Sequence, residues 1–277
     1  MNKQQKYCGY ITIVGRPNVG KSTLINEIIG KHISITSKKK NTTKSNILGI
    51  KSDEVYQSIY IDTPGVLHNI KSLKIAKNTN VIIFLIDRNI WKKEDEIILN
   101  NIKKINIPII YTINKIDKLL NKSHILSYID ILSKKTNSTE IIPISVKKKQ
   151  NIISLEKIVQ RYLPKNKHVF PKNYITTNSF EFSISEIIRK QSIFFLRDEL
   201  PSILTVKIEL IKYTVKKIYI NSIIYVENKR QKKIIVGFKG DMIKKISTSS
   251  RYYIEKEINK KVYLLIWVIE KNKKILK

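Results

Sequence analysis

Eight residues near the amino terminus restrict the possible folds of this 277-residue chain. They read Gly15-Arg16-Pro17-Asn18-Val19-Gly20-Lys21-Ser22, which fits the pattern G-x-x-x-x-G-K-[ST]. An apolar run at Tyr10–Val14 precedes them and a helical pattern at Lys21–Gly30 follows, as a phosphate-binding loop requires. In such a loop backbone N–H groups surround a phosphate, and the positive end of the helix points at the same anion. We therefore expect Lys21 to reach the β- and γ-phosphates of a nucleotide and Ser22 to ligate Mg²⁺.

Over the first 163 residues, short apolar runs alternate with helical patterns, which predicts βαβ units and a mostly parallel sheet. The expected strands are Tyr10–Val14, Ser58–Ile61, Val81–Ile86, Pro108–Ile113 and Ile141–Ile144. The expected helices are Lys21–Gly30, Lys93–Ile105, Ser123–Ser133 and Ile153–Leu163. The fold class of this part is therefore α/β.

A proline-containing stretch at Leu163–Pro171 breaks this alternation, as a linker does. The order of elements then changes. We expect a helix that ends at Leu200 before Pro201, strands at Leu204–Ile211 and Lys217–Val226, short helices at Asp241–Ile246 and Ser249–Asn259, and a strand at Val262–Ile269. The order αββααβ predicts a small α+β domain, and we place the domain boundary between residues 170 and 171.

Three further motifs follow predicted strands and extend the nucleotide site. Asp62-Thr63-Pro64-Gly65 offers a carboxylate that can hold Mg²⁺ through water and a Gly65 N–H that can contact the γ-phosphate. In Asn114-Lys115-Ile116-Asp117, the aspartate can accept two hydrogen bonds from guanine N1–H and its 2-amino group, a pair that adenine lacks. Ser145-Val146-Lys147 fits a loop whose backbone N–H contacts guanine O6.

These motifs predict one guanine-nucleotide site, because the carboxyl ends of parallel strands meet at one edge of a sheet. Asn114 would brace the phosphate loop and guanine N7, and the stem of Lys115 would cover the base. The predicted nucleotide-binding residues are Gly15, Arg16, Pro17, Asn18, Val19, Gly20, Lys21, Ser22, Thr23, Asp62, Thr63, Pro64, Gly65, Val66, Asn114, Lys115, Ile116, Asp117, Ser145, Val146 and Lys147.

A threonine pair between the first two motifs is the candidate for the switch hydroxyl that completes the Mg²⁺ shell when GTP is bound. The pair lies in Asn41-Thr42-Thr43-Lys44-Ser45, and we favour Thr43 over Thr42. The alternative is a polar loop with no metal contact. The expected Mg²⁺ ligands are thus Ser22, Thr43 and Asp62.

At this point the chain resembles the Era family of bacterial GTPases. The matching residues are Gly15–Ser22, Ile33–Ser37, Asp62–Gly65, Asn114–Asp117, Phe170-Pro171, Tyr174–Thr176, Glu199–Pro201 and Val236–Arg251. The resemblance implies a Ras-like G domain, placed at 1–170 with the start of the linker, and a type II KH domain at 171–277. It also implies binding to the 3′ end of small-subunit rRNA, a role in maturing the 30S subunit and peripheral association with the inner membrane.

The resemblance also bears on catalysis. Val66 follows the DTPG motif, where Ras-like enzymes place a water-orienting glutamine, so we expect slow intrinsic hydrolysis. Asn18 matches the asparagine with which related potassium-dependent GTPases help to coordinate K⁺, whose charge could replace an arginine finger. The alternative for Asn18 is a turn-forming asparagine. The expected catalytic and switch residues are Lys21, Thr43, Gly65 and Asn18.

The carboxy-terminal part carries an RNA-binding signature at Ile234–Ile246, whose core is G-x-x-G between two helices. A lone G-x-x-G is more often a helix-capping turn. Here the element order agrees with a KH domain, and residues 207–277 hold 19 basic and 6 acidic residues against 34 and 16 in residues 1–206, about twice the net charge per residue. The predicted RNA-binding residues are Ile235, Gly237, Phe238, Lys239, Gly240, Ile243 and Lys244.

Other features favour a cytoplasmic protein, which we expect to be a monomer. The single cysteine, Cys8, cannot form an internal disulfide, and the four histidines lack metal-ligand spacing. The best candidate for a membrane span, Val81–Ile86, is six residues long and far shorter than the roughly 18–20 residues that a span needs. The abundance of lysine, isoleucine and asparagine is typical of an AT-rich genome and suggests a reduced-genome bacterium, so part of the net charge of +31 needs no functional explanation.

Several departures from the family pattern and two competing functions remain open. The segment Val66–Asn80 is shorter than usual, Val146 replaces an alanine, Ser247 replaces a glycine and the chain stops at Lys277. One alternative function is a KH-type RNA-binding module whose G domain senses GTP with little turnover. The other is a different ribosome-assembly GTPase.

Overall fold

The computed structural model describes residues 5–31, 33, 47–62, 76–119, 123–177, 179–196 and 204–271. The chain divides into two compact units, Met1–Thr177 and Asn178–Lys277. This division follows Thr177, a few residues beyond the predicted domain boundary at 170/171, which stays a prediction. In the parts of the chain just given, no helix is long and apolar enough to cross a membrane.

The first unit is built on a six-stranded sheet with the order β2-β3-β1-β4-β5-β6. Its strands are β1 (Tyr7–Val14), β2 (Ile47–Ser52), β3 (Tyr56–Asp62), β4 (Val81–Asp87), β5 (Ile109–Asn114) and β6 (Ile141–Pro143). All neighbours pair in parallel except β2, which pairs antiparallel with β3. The edge strand β2 was missing from the sequence prediction, because Gly49 interrupts its apolar pattern.

Helices cover both faces of this sheet. On one face pack α1 (Lys21–Ile29) and α4 (Ile152–Arg161), and on the other α2 (Lys93–Lys103) and α3 (Ser123–Thr136). Strand β4 shows the alternation that this requires, because Ile83 and Leu85 enter the first core while Ile82, Phe84 and Ile86 enter the second. A strand buried on both faces reads as a continuous apolar run, as Val81–Ile86 does.

The second unit is a three-stranded sheet with helices packed on one face. The helices are α5 (Phe180–Phe195), α6 (Lys229–Val236) and α7 (Asp241–Ile258), and the strands are β7 (Thr205–Tyr213), β8 (Ile218–Val226) and β9 (Val262–Glu270). The strand order is β7-β8-β9, with β7 antiparallel and β9 parallel to β8. The observed order of elements is the predicted αββααβ, so the small α+β fold is confirmed.

Two helix predictions in this unit were wrong. The expected short helices at 241–246 and 249–259 form the single helix α7, because Ile246, Ser250 and Ile254 share one buried face and hold the polar Ser247–Ser249 stretch helical. The helix before the G-x-x-G turn is instead α6, at Lys229–Val236. Helix α5 ends at Phe195, and the predicted end at Leu200 lies outside the described residues.

One buried side chain makes several of the hydrogen bonds that hold the predicted linker against the first unit, beside backbone bonds with Lys6 and Cys8. Gln57 on β3 is fully buried, and its Oε1 accepts hydrogen bonds from the backbone N–H groups of Val169 at 2.8 Å and Phe170 at 2.9 Å. Its Nε2 donates to the Phe170 carbonyl at 2.8 Å and to Ser52 Oγ at 2.8 Å. The side-chain amide of Gln57 therefore satisfies backbone groups of the segment after Leu163, as a neighbouring strand would do in a sheet.

Replacing this amide should loosen the linker. Gln57→Ala leaves partly buried backbone groups of Val169 and Phe170 without this partner, so we expect the first unit to lose about 1–3 kcal/mol of stability. Urea unfolding followed by Trp91 fluorescence in a Trp267→Phe background measures this, and limited proteolysis should cut earlier within residues 164–177. Lys51→Ala, which removes a partly exposed ion pair with Glu156, is the control and should cost under about 1 kcal/mol. Equal losses for the two variants would show that Gln57 is not the anchor.

Candidate functional site

The phosphate loop lies where the sequence predicts it, between the carboxyl end of β1 and the start of α1. Gly20 precedes the helix with φ 110°, a conformation that favours glycine, and a Cβ there would collide with the side chain of Asn114. Lys21 is buried, and its Nζ donates to the carbonyls of Gly15 and Arg16, both at 2.9 Å. The loop is thus fastened from inside by the lysine that the sequence assigns to phosphate binding.

Asn114, at the carboxyl end of β5, joins three loops through its side-chain amide. Its Nδ2 donates to the Val19 carbonyl in the phosphate loop at 2.9 Å. Its Oδ1 accepts from the backbone N–H of Lys115 at 2.7 Å and of Val146 at 3.2 Å. The residue that was expected to brace the phosphate loop therefore also holds the loop after β6.

Asp117 lies in a 3-10 turn, Ile116–Lys118, next to the loop that follows β6. Ser145 is buried, and its hydroxyl donates to Asp117 Oδ1 at 2.6 Å while accepting from the backbone N–H of Lys148 at 3.1 Å. The sequence had assigned this loop only a backbone contact with the base. The structure shows that the Ser145 side chain orients the carboxylate expected to select guanine.

Lys115 reaches back to the phosphate loop. Its Nζ donates to the Asn18 carbonyl at 2.6 Å and to Asp87 at 2.9 Å. Asp87 ends β4 and also accepts from Arg88 at 3.1 Å. Partial burial acts to raise the pKa of Asp87, but the bonds from Lys115 and Arg88 hold it below its usual value. Sequence reasoning missed Asp87, although its position at the end of a buried strand was a usable signal.

The Arg16 side chain takes an unexpected position. Its Nε lies 2.6 Å from the buried Asp95 carboxylate near the start of α2, and a second nitrogen donates to the Ile90 carbonyl at 3.1 Å. The same carboxylate oxygen of Asp95 accepts from the backbone N–H of Lys92 at 3.0 Å. Arg16 thus ties the phosphate loop to α2, and its carbonyl accepts from Lys21. Asp95 belongs to no motif, so no sequence pattern pointed to it.

Two oxygen atoms that were predicted to ligate a metal meet at the start of α1. Ser22 Oγ donates to Asp62 Oδ2 at 2.8 Å, so a hydroxyl and a carboxylate meet beside the phosphate loop. Oxygen donors of this kind are the ligands that Mg²⁺ prefers, and the pair fits that ion. Other predicted residues of the switch regions, namely Thr42, Thr43, Thr63, Pro64, Gly65 and Val66, lie outside the described residues.

The remaining predicted residues line the same edge of the sheet. Val19 and Ile116 are buried beneath the loops, and Val146 follows Ser145 in the loop after β6. Pro17, Asn18, Thr23 and Lys147 are at least partly exposed, and Asn18 has φ 65°.

The G-x-x-G turn of the second unit connects α6 and α7. Gly237 has φ 76°, and a Cβ there would collide with Asp241, so only glycine fits. Phe238 is 80% exposed, and Lys239 Nζ lies 5.5 Å from its ring centroid. Gly240 and Lys244 flank this exposed turn, and Ile243 is partly buried. Ile235 is completely buried in the core, so its side chain supports the turn and is not part of the RNA-contacting surface.

Comparison with known proteins gives matches over nearly the whole chain. The family model described as 50S ribosome-binding GTPase matches residues 10–115, and the KH domain model matches residues 199–274. GTPase Era of Buchnera aphidicola subsp. Schizaphis graminum is 63% identical over 99% of this chain and 100% of its own length.

Two solved structures match with similar coverage. Era in complex with MgGDPNP and nucleotides 1506–1542 of 16S ribosomal RNA is 36% identical, with a TM-score of 0.91 over 97% of this chain and 95% of that one. A variant of Aquifex aeolicus Era bound to GDP·AlF4⁻ is 35% identical, with a TM-score of 0.90 over 96% of this chain and 95% of that one.

Burial of Lys21 should make nucleotide binding depend on pH. Burial lowers the pKa of Lys21 to about 8, and the charge of Asp62 opposes this only in part. A bound phosphate favours the charged form of Lys21. Above pH 8, where Lys21 is mostly neutral in the free protein, nucleotide binding is therefore accompanied by proton uptake at Lys21. Proton uptake on GDP binding should rise from near zero at pH 7 to roughly three quarters of a proton at pH 8.5. Calorimetry in two buffers of different ionisation enthalpy measures it, and an uptake that does not change with pH would contradict this role for Lys21.

Proposed function

This chain belongs to the Era family of GTPases, and on that premise we propose that it is a GTP-hydrolysing switch protein that binds the 3′ region of small-subunit rRNA and assists assembly of the small ribosomal subunit. The observation that carries the proposal is that one chain combines the loops joined by Asn114 with an exposed G-x-x-G turn. The first feature fits a guanine nucleotide, and the second fits the backbone of single-stranded RNA.

In the first unit, Asp117 selects guanine and Ser145 holds its carboxylate in place. Lys21 neutralises phosphate charge, and Ser22 with Asp62 would hold Mg²⁺, which would offset negative charge on the phosphates during transfer. The Era structure solved with MgGDPNP supports this choice of metal. Thr43 and Gly65 complete the proposed switch as γ-phosphate sensors.

A potassium ion is the further cofactor that we propose, held in part by Asn18. The Asn18 carbonyl accepts a hydrogen bond from Lys115, which holds this residue in place within the phosphate loop. A cation near the β/γ bridge would stabilise negative charge in the transition state. Val66 cannot orient the attacking water, so the ion would provide the catalytic assistance. Without K⁺ the protein would behave as the second candidate, a GTP sensor with little turnover.

In the second unit, Phe238, Lys239 and Lys244 would contact the RNA backbone and bases at the turn. We propose residues 1–170 as the G domain and 171–277 as the KH domain. We also propose that the protein is a monomer in the cytoplasm that associates peripherally with the inner membrane. Its excess of lysine favours binding to the anionic lipids there.

Guanine selection is tested by Asp117→Asn. The asparagine Oδ1 can still accept from Ser145, while its amide nitrogen becomes a donor that suits xanthine, which carries an acceptor where guanine has its 2-amino group. We expect preference to move from GTP to XTP in titrations with both nucleotides. Asp130→Asn removes the same charge from an exposed position on α3 and should leave the preference for GTP unchanged. Retained GTP preference in Asp117→Asn would refute the assignment.

The potassium site is tested by single-turnover hydrolysis in KCl and in NaCl at equal ionic strength. The rate should be higher in KCl, and removing the Asn18 side chain should erase the difference. Asn18→Gly removes the side chain without backbone strain, because glycine accepts the positive φ at this position. Asn18→Ala removes the same side chain and is measured beside it. Equal wild-type rates in the two salts would remove K⁺ from the mechanism, and tight GTP binding without hydrolysis would favour the sensor.

RNA binding at the turn is tested by replacing Phe238 and Lys239 with aspartate, which lowers the net charge of +31 by three units. Carboxylates against the RNA backbone should abolish binding of a short oligonucleotide of about six nucleotides from the rRNA 3′ end, beyond a weak and strongly salt-dependent remainder. The same change at Val215 and Lys216, which are exposed in the β7–β8 turn, lowers the charge equally and should have little effect. Anisotropy titrations with matched and scrambled sequences measure both variants. Indistinguishable curves for the two sequences with the wild type would refute rRNA recognition.

A further inference from the structure

Among the described residues of the second unit, the helices pack on one face of the three-stranded sheet and leave the other face uncovered. Alternate residues of β8 and β9, such as Ile220, Ile224 and Ile266, enter the core against α5, α6 and α7. The residues between them must point to the opposite side of the sheet, because successive side chains of a strand alternate. We call this side the open sheet face. Its central residues are the exposed Lys207, Lys212, Tyr219, Tyr263 and Trp267 and the buried Ile223.

Aromatic rings are concentrated along β9 on this face. Trp267 is 56% exposed, Tyr263 is 55% exposed, and the rings of Tyr219 and Tyr263 lie 5.5 Å apart. Tyr263 and Trp267 are separated by four residues of one strand, or about 13 Å. Large aromatic side chains gathered on an exposed surface mark a binding site more often than a solvated one.

The register of the strands places a lysine opposite each ring. Lys212, Tyr219 and Tyr263 form one row across the three strands, since each is paired with the next. Lys207, Ile223 and Trp267 form a second row in the same way. In both rows the lysine lies two strands from the aromatic residue of β9, a distance of about 10 Å. The face therefore repeats one arrangement twice, with a cation at one edge and a ring at the other.

The charge around this face favours a polyanion. Lys216 and Lys217 extend the lysine edge into the β7–β8 turn, while the acidic residue of β7, Glu209, lies at the bulge between Ile208 and Leu210. A protein–protein interface would be depleted of lysine at such positions. Single-stranded nucleic acid instead needs both features, because bases stack on rings and phosphates pair with cations.

We propose that the open sheet face is a second RNA-contacting surface, on which bases stack on Trp267 and on the Tyr219–Tyr263 pair while the backbone passes Lys207 and Lys212. This inference rests on the proposed function, because it gives the same RNA-binding unit a surface on the side of the sheet opposite to the G-x-x-G turn. It predicts that the unit binds a longer segment of RNA than the turn alone can hold.

Trp267 provides a direct readout. The chain has two tryptophans, so in a full-length Trp91→Phe variant Trp267 is the sole fluorophore of its kind. A single-stranded oligonucleotide of about 15 nucleotides should quench its emission, and one of about six nucleotides that fills the turn should not. The longer oligonucleotide should also bind roughly fivefold to a hundredfold more tightly than the short one, as expected for one or more stacked bases.

Variants of the face separate stacking from charge. Trp267→Ala combined with Tyr263→Ala should remove most of the advantage of the long oligonucleotide and leave binding of the short one unchanged. Trp267→Phe keeps a ring and should retain most of that advantage. Tyr252→Ala removes an exposed ring from α7 in the same unit and serves as the control, with no expected effect. Because all these side chains are exposed, circular dichroism should show an unaltered fold.

The outcomes distinguish this inference from the proposed function. If the short oligonucleotide binds through the turn but the long one neither quenches Trp267 nor gains affinity, the open sheet face does not bind RNA and the proposed function stands. If sedimentation shows a dimer that Trp267→Ala dissociates, the face is an interface between copies and the inference is overturned. If the short oligonucleotide fails to bind the wild type, the proposed function fails, and quenching by the long one still decides this inference.

Discussion

The side chain of Asn114 is the contact on which the nucleotide site depends. A single buried amide donates to Val19 in the phosphate loop and accepts from the backbone of Lys115 and Val146, so three loops from different strands share one partner. Gly20 leaves the space that the amide occupies. Because the donor and acceptor ends are both used, the loops keep their spacing only while an asparagine stands there. Phosphate recognition and base recognition are thereby coupled before any ligand binds.

Much of the first unit could be predicted from sequence, for a physical reason. Strands buried on both faces, such as β4, produce continuous apolar runs, and the motifs after them mark the edge at which they end. Side-chain partners carried no such signal. Asp95 and Asp87 lie far from their partners Arg16 and Lys115 in the chain, and only the folded sheet brings them together. The edge strand β2 was missed because its pattern is short and contains a glycine.

In the second unit the order of elements could be predicted, but the helix boundaries could not. The polar stretch Ser247–Ser249 suggested a break, yet the packing of Ile246 and Ile254 against the sheet overrides local propensity and keeps α7 continuous. Burial also separates residues that the motif grouped together. Phe238 is exposed at the turn while Ile235 lies in the core, so a signature read from sequence mixes surface residues with core residues. The aromatic face of β9 belongs to no motif, and only strand register reveals it.

The central claim is that one chain joins a guanine-nucleotide site to a specific RNA-binding unit. Ultraviolet crosslinking of the full chain to RNA in a cell lysate, with sequencing of the attached RNA, tests it most directly. The account predicts that crosslinks concentrate near the 3′ end of small-subunit rRNA and map on the protein to the turn at residues 237–244. Crosslinks spread over all RNAs in proportion to their abundance would contradict it, because a general excess of lysine would then explain the binding.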